Sequence, residues 1–89
     1  MTQIHGTTVA IDGRAVLLRG PSGSGKSDLA LRMIDAGAQL VADDRTDLAV
    51  EGGQLWASVP GTIAGKLEVR GYGIVDVPYL DRAPLALVA

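Results

Sequence analysis

The apolar positions of the chain fall in short runs separated by polar turns, and their spacing predicts several strands and one helix. Residues 15–18 form a continuous apolar run between polar residues, which predicts a buried strand. Residues 27–36 instead place apolar side chains on one helical face, with charged residues on the other. The apolar members of that predicted face are Leu29, Ala30, Met33 and Ile34. Residues 38–42 form another apolar run, so a strand, a helix and a second strand are expected in this order.

Turn residues predict that part of the sheet is antiparallel. Residues 3–11 favour an extended strand, and Asp12-Gly13 is a strong signal for a tight hairpin because both central residues of a type I′ turn need positive φ. The first strand should therefore pair with the strand at 15–18. A second hairpin is expected around Gly52-Gly53. The fold class predicted is α/β, a mixed sheet with an N-terminal β-hairpin.

The segment between the strand at 15–18 and the helix carries the clearest chemical motif. It matches the phosphate-binding P-loop, or Walker A, pattern G-x-x-x-x-G-K-[ST] with Gly20, Pro21, Ser22, Gly23, Ser24, Gly25, Lys26 and Ser27. Backbone amides of such a loop and the following helix N-terminus bind phosphate. Lysine and serine at the two last positions serve the β- and γ-phosphates and Mg²⁺. The alternative is a Gly/Ser-rich turn that binds nothing.

Two adjacent carboxylates, Asp43 and Asp44, follow the apolar run at 38–42. A buried strand that ends in acidic residues is the layout of a Walker B element. Successive side chains of a strand point to opposite faces, so the two should divide the work. One can orient metal-bound water while the other accepts a proton from an attacking hydroxyl. The alternative is a solvated turn, and the residues leave open which aspartate is the base.

Three further polar residues are candidates on weaker grounds. His5, the only histidine, titrates near neutral pH, and the predicted hairpin brings the chain start beside the strand at 15–18. On sequence chemistry alone, an ordinary surface or sheet-edge residue is the favoured interpretation. Glu68 and Arg70 share one face of an extended segment at 67–77 that also holds two glycines. An exposed ion pair and a functional pair remain open for them.

Composition removes several classes of function. The formal net charge of −2 offers no basic stripe for nucleic acid, and the lack of cysteine excludes disulfides and thiolate chemistry. The N-terminus lacks the layout of a signal peptide and no apolar run is long enough to span a membrane, so a cytoplasmic protein without membrane contact is expected. An apolar fraction of 47% in 89 residues suggests that some apolar surface packs against missing sequence or against neighbouring subunits, and a homo-oligomer is expected.

Four stretches, taken together, resemble the catalytic domain of bacterial HPr kinase/phosphorylase. These are His5-Gly6, the P-loop at 20–27, the Leu-Val-Ala-Asp-Asp-Arg run at 40–45, and the run at 67–77, which is similar to the family signature L-E-[IV]-R-G-x-G-I-[IV]-D-V. They occur in the family's order and cover most of the chain. The resemblance implies a fold related to phosphoenolpyruvate carboxykinase, with residues 1–89 as a single P-loop kinase catalytic domain.

The resemblance also implies an activity and its residues. ATP, with Mg²⁺, would phosphorylate a serine of the phosphocarrier protein HPr, which regulates carbohydrate metabolism through the phosphotransferase system. Lys26 would hold phosphates, and Ser27 with Glu68 would serve the magnesium ion. Asp44, or less readily Asp43, would be the base. His5 and Arg70 would complete the catalytic site. Many members also run the reverse phosphorolysis, with inorganic phosphate as acceptor and pyrophosphate as product.

Departures from the family pattern keep other readings open. The family continues past the 67–77 signature into a segment with another catalytic arginine, and its longer members carry an N-terminal domain, whereas this sequence looks like a compact form, short at the C-terminus. Asp28 stands where the family commonly has Glu. Phosphorolysis is therefore in question. Two alternatives remain: a kinase of the same fold acting on another hydroxyl, and a nucleotide-binding sensor that transfers no phosphate.

Overall fold

The structure, a computed structural model, describes residues 2–19, 26–43, 45–59, 65–69 and 73–88, and at 26–28, 66–69 and 75 it describes the backbone alone. The part of the chain so described contains nine strands and one helix. They are β1 (Thr2–His5), β2 (Thr7–Ile11), β3 (Arg14–Leu18), α1 (Lys26–Asp35), β4 (Gln39–Ala42), β5 (Arg45–Glu51), β6 (Gln54–Ser58), β7 (Lys66–Val69), β8 (Gly73–Asp76) and β9 (Arg82–Val88).

Seven of these strands form one mixed sheet in the order β1-β5-β6-β9-β3-β2-β4. Only the β3–β9 pair within it is parallel. The strands β7 and β8 form a separate antiparallel pair. Because β1 continues into β2 and β4 leads into β5, the two ends of the sheet are tied together by short connections. The predicted mixed sheet is confirmed.

Both predicted hairpins are confirmed. Strands β2 and β3 pair antiparallel, and the two turn residues Asp12 and Gly13 have φ of 52° and 78°. Strands β5 and β6 pair in the same way, with φ of 61° at Gly52 and 79° at Gly53. Positive φ at both central residues is the type I′ geometry that matches the twist of the flanking strands. Local turn chemistry therefore sets the register of both pairs.

The prediction of one continuous strand over residues 3–11 is wrong. The chain breaks at Gly6 into β1 and β2, and the two strands pair with different neighbours. His5 at the end of β1 lies opposite Arg45 of β5, while Thr7 at the start of β2 lies opposite Leu18 of β3. Apolar alternation alone cannot detect such a switch, because both strands are extended and continue the same pattern.

The apolar core has two layers. One lies between α1 and the sheet and contains Val9, Leu18, Ala30, Ile34, Ala38 and Leu40. The other lies on the opposite side of the sheet and is built largely of alanine: Ala10, Ala15, Val41, Ala57 and Ala83. Small side chains allow the strands of that second layer to approach closely.

One member of the predicted helix face is misplaced. Ala30 is fully buried and Ile34 nearly so, as predicted, but Leu29 is 48% exposed. Leu31 packs partly against the core instead. The short helix buries a stripe centred on Ala30 and Ile34, so position 29 falls outside it. No helix in the described ranges is long and apolar enough to cross a membrane.

The apolar C-terminal stretch, for which no strand was predicted, forms β9 in the middle of the sheet. It pairs antiparallel with β6 and parallel with β3, and so joins the two hairpins into one sheet. Ala83 is buried, whereas Leu87 and Val88 are 57% and 50% exposed. This pairing spans a long sequence separation, which local patterns do not reveal.

The prediction of one extended segment over residues 67–77 is also wrong, because β7 and β8 in this part of the chain pair antiparallel with each other. After β8 the chain runs along the outer edge of β4. The amide of Leu40 donates to the carbonyl of Pro78 over 2.8 Å, and the amide of Leu80 donates to the carbonyl of Leu40 over 2.9 Å. These hydrogen bonds cover an otherwise open sheet edge.

Trp56 has a packing role. The Arg82 guanidinium lies over its ring, 4.2 Å from the centroid, and is also paired with Glu51 over 3.1 Å. The indole N–H donates to the carbonyl oxygen of Glu51 over 3.3 Å. This group therefore links β9 to the β5–β6 hairpin.

Candidate functional site

The candidate site lies at the end of the sheet that is formed by the C-terminal ends of β3 and β4. Both strands pair antiparallel with β2, so they run in the same direction and finish at the same edge. Leu18 at the end of β3 lies opposite Thr7, and Ala42 at the end of β4 lies opposite Thr8. The segment with the P-loop motif and the segment with the two aspartates therefore leave the sheet side by side, separated by the start of β2.

The P-loop motif itself falls mostly outside the described residues. This applies to Gly20, Pro21, Ser22, Gly23, Ser24 and Gly25, and α1 begins immediately afterwards at Lys26. Lys26 and Ser27 are the first residues of the ten-residue helix. Amides in the first turn of a helix lack intrahelical acceptors, which makes this position suited to an anion. Phosphate binding by this loop stays a prediction.

Asp43 is the predicted acidic residue that the structure describes with its side chain. It follows β4, is half-buried, and accepts a hydrogen bond of 3.1 Å at Oδ1 from the Thr7 hydroxyl. Thr7 is buried at the start of β2. Asp44 lies outside the described residues, and the amide of Arg45 beyond it donates to the carbonyl of Asp43 over 2.8 Å. Which aspartate acts as base remains a prediction.

Two buried threonines beside Asp43 form a second set of hydrogen bonds, here called the threonine clamp. The hydroxyls of Thr8 and Thr46 lie 2.8 Å apart, and the Thr46 hydroxyl donates to the carbonyl of Gly6 over 3.0 Å. The clamp ties the start of β5 to the connection between β1 and β2. Local sequence patterns do not reveal it, because threonine is common in strands whether or not its hydroxyl makes a hydrogen bond.

Gly6 brings that connection close to the end of β3. A Cβ at this position would lie 2.8 Å from Leu17 Cδ1 and 3.0 Å from the carbonyl oxygen of Leu18. Backbone cannot yield as a flexible side chain can, so only glycine fits here without a shift. Gly6 therefore sets how closely the His5-Gly6 connection approaches the strand that leads into the P-loop motif.

His5 is exposed and lies on β1, the first strand in the sheet order, opposite Arg45 of β5. The residue that lies against the end of β3 is Gly6, which follows His5 in the sequence. His5 is therefore one residue away from the contact with Leu18. Its catalytic role stays a prediction.

Glu68 is placed by its backbone alone. It lies in β7 opposite Ile74, and β7 packs against α1 and β4. The strand that carries Glu68 therefore adjoins the helix that begins with Lys26. Arg70 lies outside the described residues, so its pairing with Glu68 is not tested.

The side chains proposed for magnesium fit that ion by their chemistry. Mg²⁺ prefers oxygen ligands and usually binds through one or two carboxylates plus substrate phosphates. A hydroxyl from Ser27 and a carboxylate from Glu68 meet this description, and their strand and helix adjoin. Among the residues described, no group of three or more His, Cys, Asp or Glu side chains is positioned to hold a metal. The described part of the chain therefore does not form a metal site made of such side chains alone.

Comparison with known proteins places this geometry in context. The family model described as "HPr Serine kinase C-terminal domain" matches residues 1–80. An HPr kinase/phosphorylase of Clostridium tetani is 48% identical over 79 residues, which are 89% of this chain and 26% of the relative. One from Streptococcus thermophilus is 47% identical over 77 residues, 85% of this chain and 25% of the relative. The chain thus spans about a quarter of the length of these relatives.

A solved structure shows the same fold. The Hpr(Ser) kinase/phosphatase from Coxiella burnetii superposes with a TM-score of 0.91 at 36% identity, over 99% of this chain and 58% of that one. The agreement extends to nearly all of the chain, so the mixed sheet is shared with that protein.

Proposed function

This chain belongs to the HPr serine kinase C-terminal domain family, and on that premise we propose that it takes part in ATP-dependent phosphorylation of a serine on HPr. Relatives named HPr kinase/phosphorylase are 47% and 48% identical to it. The proposal concerns the part of the reaction that these residues would carry out: binding the nucleotide phosphates and activating the serine hydroxyl.

The observation that carries the proposal is that β3 and β4 end on the same side of the sheet. Leu18 and Ala42 end their strands on either side of β2, one leading into the P-loop motif and the other into Asp43 and Asp44. A phosphoryl donor bound on one side would present its terminal phosphate to an acceptor activated on the other. Positioning and charge stabilisation supply most of the catalysis in phosphoryl transfer, so this juxtaposition is the central requirement.

On the donor side, the amides of residues 20–27 and the Lys26 ammonium would hold the phosphates of ATP. Ser27 and Glu68 would hold Mg²⁺, which, when bound, neutralises charge on the phosphate oxygens. Arg70 would add positive charge close to the transferred group. The start of α1 at Lys26 supports this assignment, because the segment that would wrap the phosphates leads in sequence directly into the helix N-terminus.

On the acceptor side, Asp44 would accept the proton of the serine hydroxyl as it attacks the γ-phosphorus. Asp43, held by Thr7, suits a fixed orienting role better than that of a base which must exchange protons with substrate. His5, exposed at the same edge, would contact the acceptor or the transferred phosphate. In the reverse direction the same aspartate would return the proton to the serine oxygen while inorganic phosphate takes the phosphoryl group and leaves as pyrophosphate.

Incubation with ATP labelled at the γ-phosphate, Mg²⁺ and HPr tests the proposal. Label should appear on HPr, should be absent from an HPr whose acceptor serine is alanine, and should disappear with Lys26→Ala. If ATP binds tightly and no label moves to any protein or small-molecule hydroxyl, the chain is a nucleotide sensor instead. If label moves to another hydroxyl but not to HPr, the fold serves a different kinase.

We further propose that the chain acts in the cytoplasm, as one catalytic unit within a homo-oligomer. Apolar side chains on the described surface support self-association, since Ile74 is 68% and Leu87 57% exposed. Size-exclusion chromatography with light scattering tests this, and a monomeric mass at micromolar concentration would contradict it.

A further inference from the structure

We propose that Thr7 is a positioning residue whose hydroxyl sets the direction of the Asp43 carboxylate. The inference rests on the proposed function and extends it to a residue outside the four stretches that carry the family resemblance. The juxtaposition behind it is direct: the hydroxyl oxygen of Thr7 lies 3.1 Å from Oδ1 of Asp43, across a sequence separation of 36 residues.

The donor of this hydrogen bond is itself rigidly held. Thr7 is 1% exposed and is the first residue of β2, where it lies opposite Leu18. A β-branched side chain in a strand has few accessible χ1 rotamers, and burial removes the freedom that remains. The hydroxyl therefore points in one fixed direction relative to the end of β3.

The acceptor, in contrast, stands on a turn. Asp43 follows the last residue of β4 and is only half-buried. With Oδ1 bound to a fixed hydroxyl, rotation of the carboxylate about its Cβ–Cγ bond is restricted, and the second oxygen takes a defined direction as well.

The consequence concerns the distance between the side of the site that would bind the phosphoryl donor and the side that would bind the phosphoryl acceptor. Thr7 belongs to the strand that pairs with β3, whose end leads into the P-loop motif. By binding Asp43, it fixes the acidic turn relative to that motif. Misplacement of a catalytic group by about 1 Å can cost about 10²-fold in rate, so loss of this hydrogen bond should be visible in turnover.

Three variants of the full 89-residue chain separate this role from mere packing. Thr7→Val keeps the side-chain shape and removes the donor. Thr7→Ser keeps the hydroxyl and removes a methyl group. Thr8→Val is the matched control, since Thr8 is the next residue, is equally buried, and bonds to Thr46 rather than to an aspartate. The assay is phosphoryl transfer to HPr, well below each melting temperature.

We expect Thr7→Val to lower kcat by about 10²-fold while KM for ATP changes much less, since the phosphate-binding segment is untouched. Thr7→Ser should recover most of the loss, and Thr8→Val should lower thermal stability with kcat nearly unchanged. A kcat for Thr7→Val within twofold of the starting protein would overturn the proposal, as would a Thr7→Ser variant as slow as Thr7→Val.

A double-mutant cycle with Asp43→Ala shows whether Thr7 acts through Asp43. Thr7→Val should have little further effect on kcat once the carboxylate is gone, whereas an equal loss in both backgrounds would overturn the inference. If the unmodified chain transfers no phosphate, the proposed function fails, and the same cycle measured by chemical denaturation decides the inference. Non-additive stability losses support the contact, and additive ones overturn it.

Discussion

Gly6 and the carbonyl of Leu18 lie so close that a Cβ on Gly6 would be 3.0 Å from that oxygen. The connection between β1 and β2 is thereby pressed against the last residue of the strand that leads into the P-loop motif. We expect Gly6→Ala to push the two apart, to cost about 1–3 kcal/mol of stability, and to weaken ATP binding. Isothermal titration calorimetry with ATP and Mg²⁺ measures the second effect.

Gly37 provides the control for that variant. It has φ of 109°, and apart from its chain neighbours no atom of the described residues lies within 4 Å of the position that a Cβ would take, so Gly37→Ala strains the backbone without touching the site. It should lose stability and keep its ATP affinity. Equal ATP affinity for Gly6→Ala and the starting protein would refute the role assigned to Gly6.

Asp44→Asn tests the division of work between the two aspartates. If Asp44 is the base, the variant should lose about 10²–10⁴-fold in turnover while its ATP affinity stays near that of the starting protein. Steady-state kinetics and titration with ATP give the two quantities separately. An equal loss of nucleotide binding would make Asp44 a metal-site residue, and a larger loss of turnover in Asp43→Asn would reverse the assignment.

Arg82→Ala should loosen the link between β9 and the β5–β6 hairpin. The guanidinium lies 4.2 Å from the centroid of the half-buried Trp56 and pairs with Glu51 at the surface, so a loss of about 0.5–1 kcal/mol is expected. Fluorescence of Trp56, the only tryptophan, reports both the changed environment and the denaturation midpoint. Arg32→Ala, on the exposed face of α1, is the control and should leave the fluorescence of the folded protein unchanged.

The alanine layer of the core should resist enlargement. Ala83 of β9 is 1% exposed and packs in that layer, so Ala83→Val is expected to cost about 1–3 kcal/mol. Ala86→Val in the same strand, at an exposed position, should change stability by no more than about 0.5 kcal/mol. Urea denaturation compares the stability of the two variants, and similar midpoints would show that this layer accommodates a larger side chain without loss of stability.

Sequence patterns predicted the parts of the fold that depend on neighbouring residues. The turns at Asp12-Gly13 and Gly52-Gly53 each need positive φ at two adjacent positions, and few residue pairs supply it. The buried stripe of α1 through Ala30 and Ile34 follows from helical periodicity. In the candidate site, the same local information placed Asp43 at the end of a buried strand.

Other features depend on partners distant in the sequence, which no local pattern encodes. The break at Gly6 is invisible to alternation, because it arises where β1 pairs with β5, far along the chain, while β2 pairs with β3. The apolar stretch that forms β9 has partners in two separate hairpins. Thr7 gave no signal as a hydrogen-bond donor to Asp43, since a threonine that opens a strand is unremarkable until the fold brings the aspartate to it.

The central place of β9 has a consequence for folding during synthesis. The two hairpins can form as soon as each is made, but β3 and β6 then keep one unpaired edge each until residues 82–88 have been added. Nascent chains are thus exposed to wrong strand pairing over that interval, and such exposed edges favour aggregation. A chain cut before residue 82 would leave the strand that precedes the P-loop motif at a sheet edge, so it should be recovered mainly in inclusion bodies.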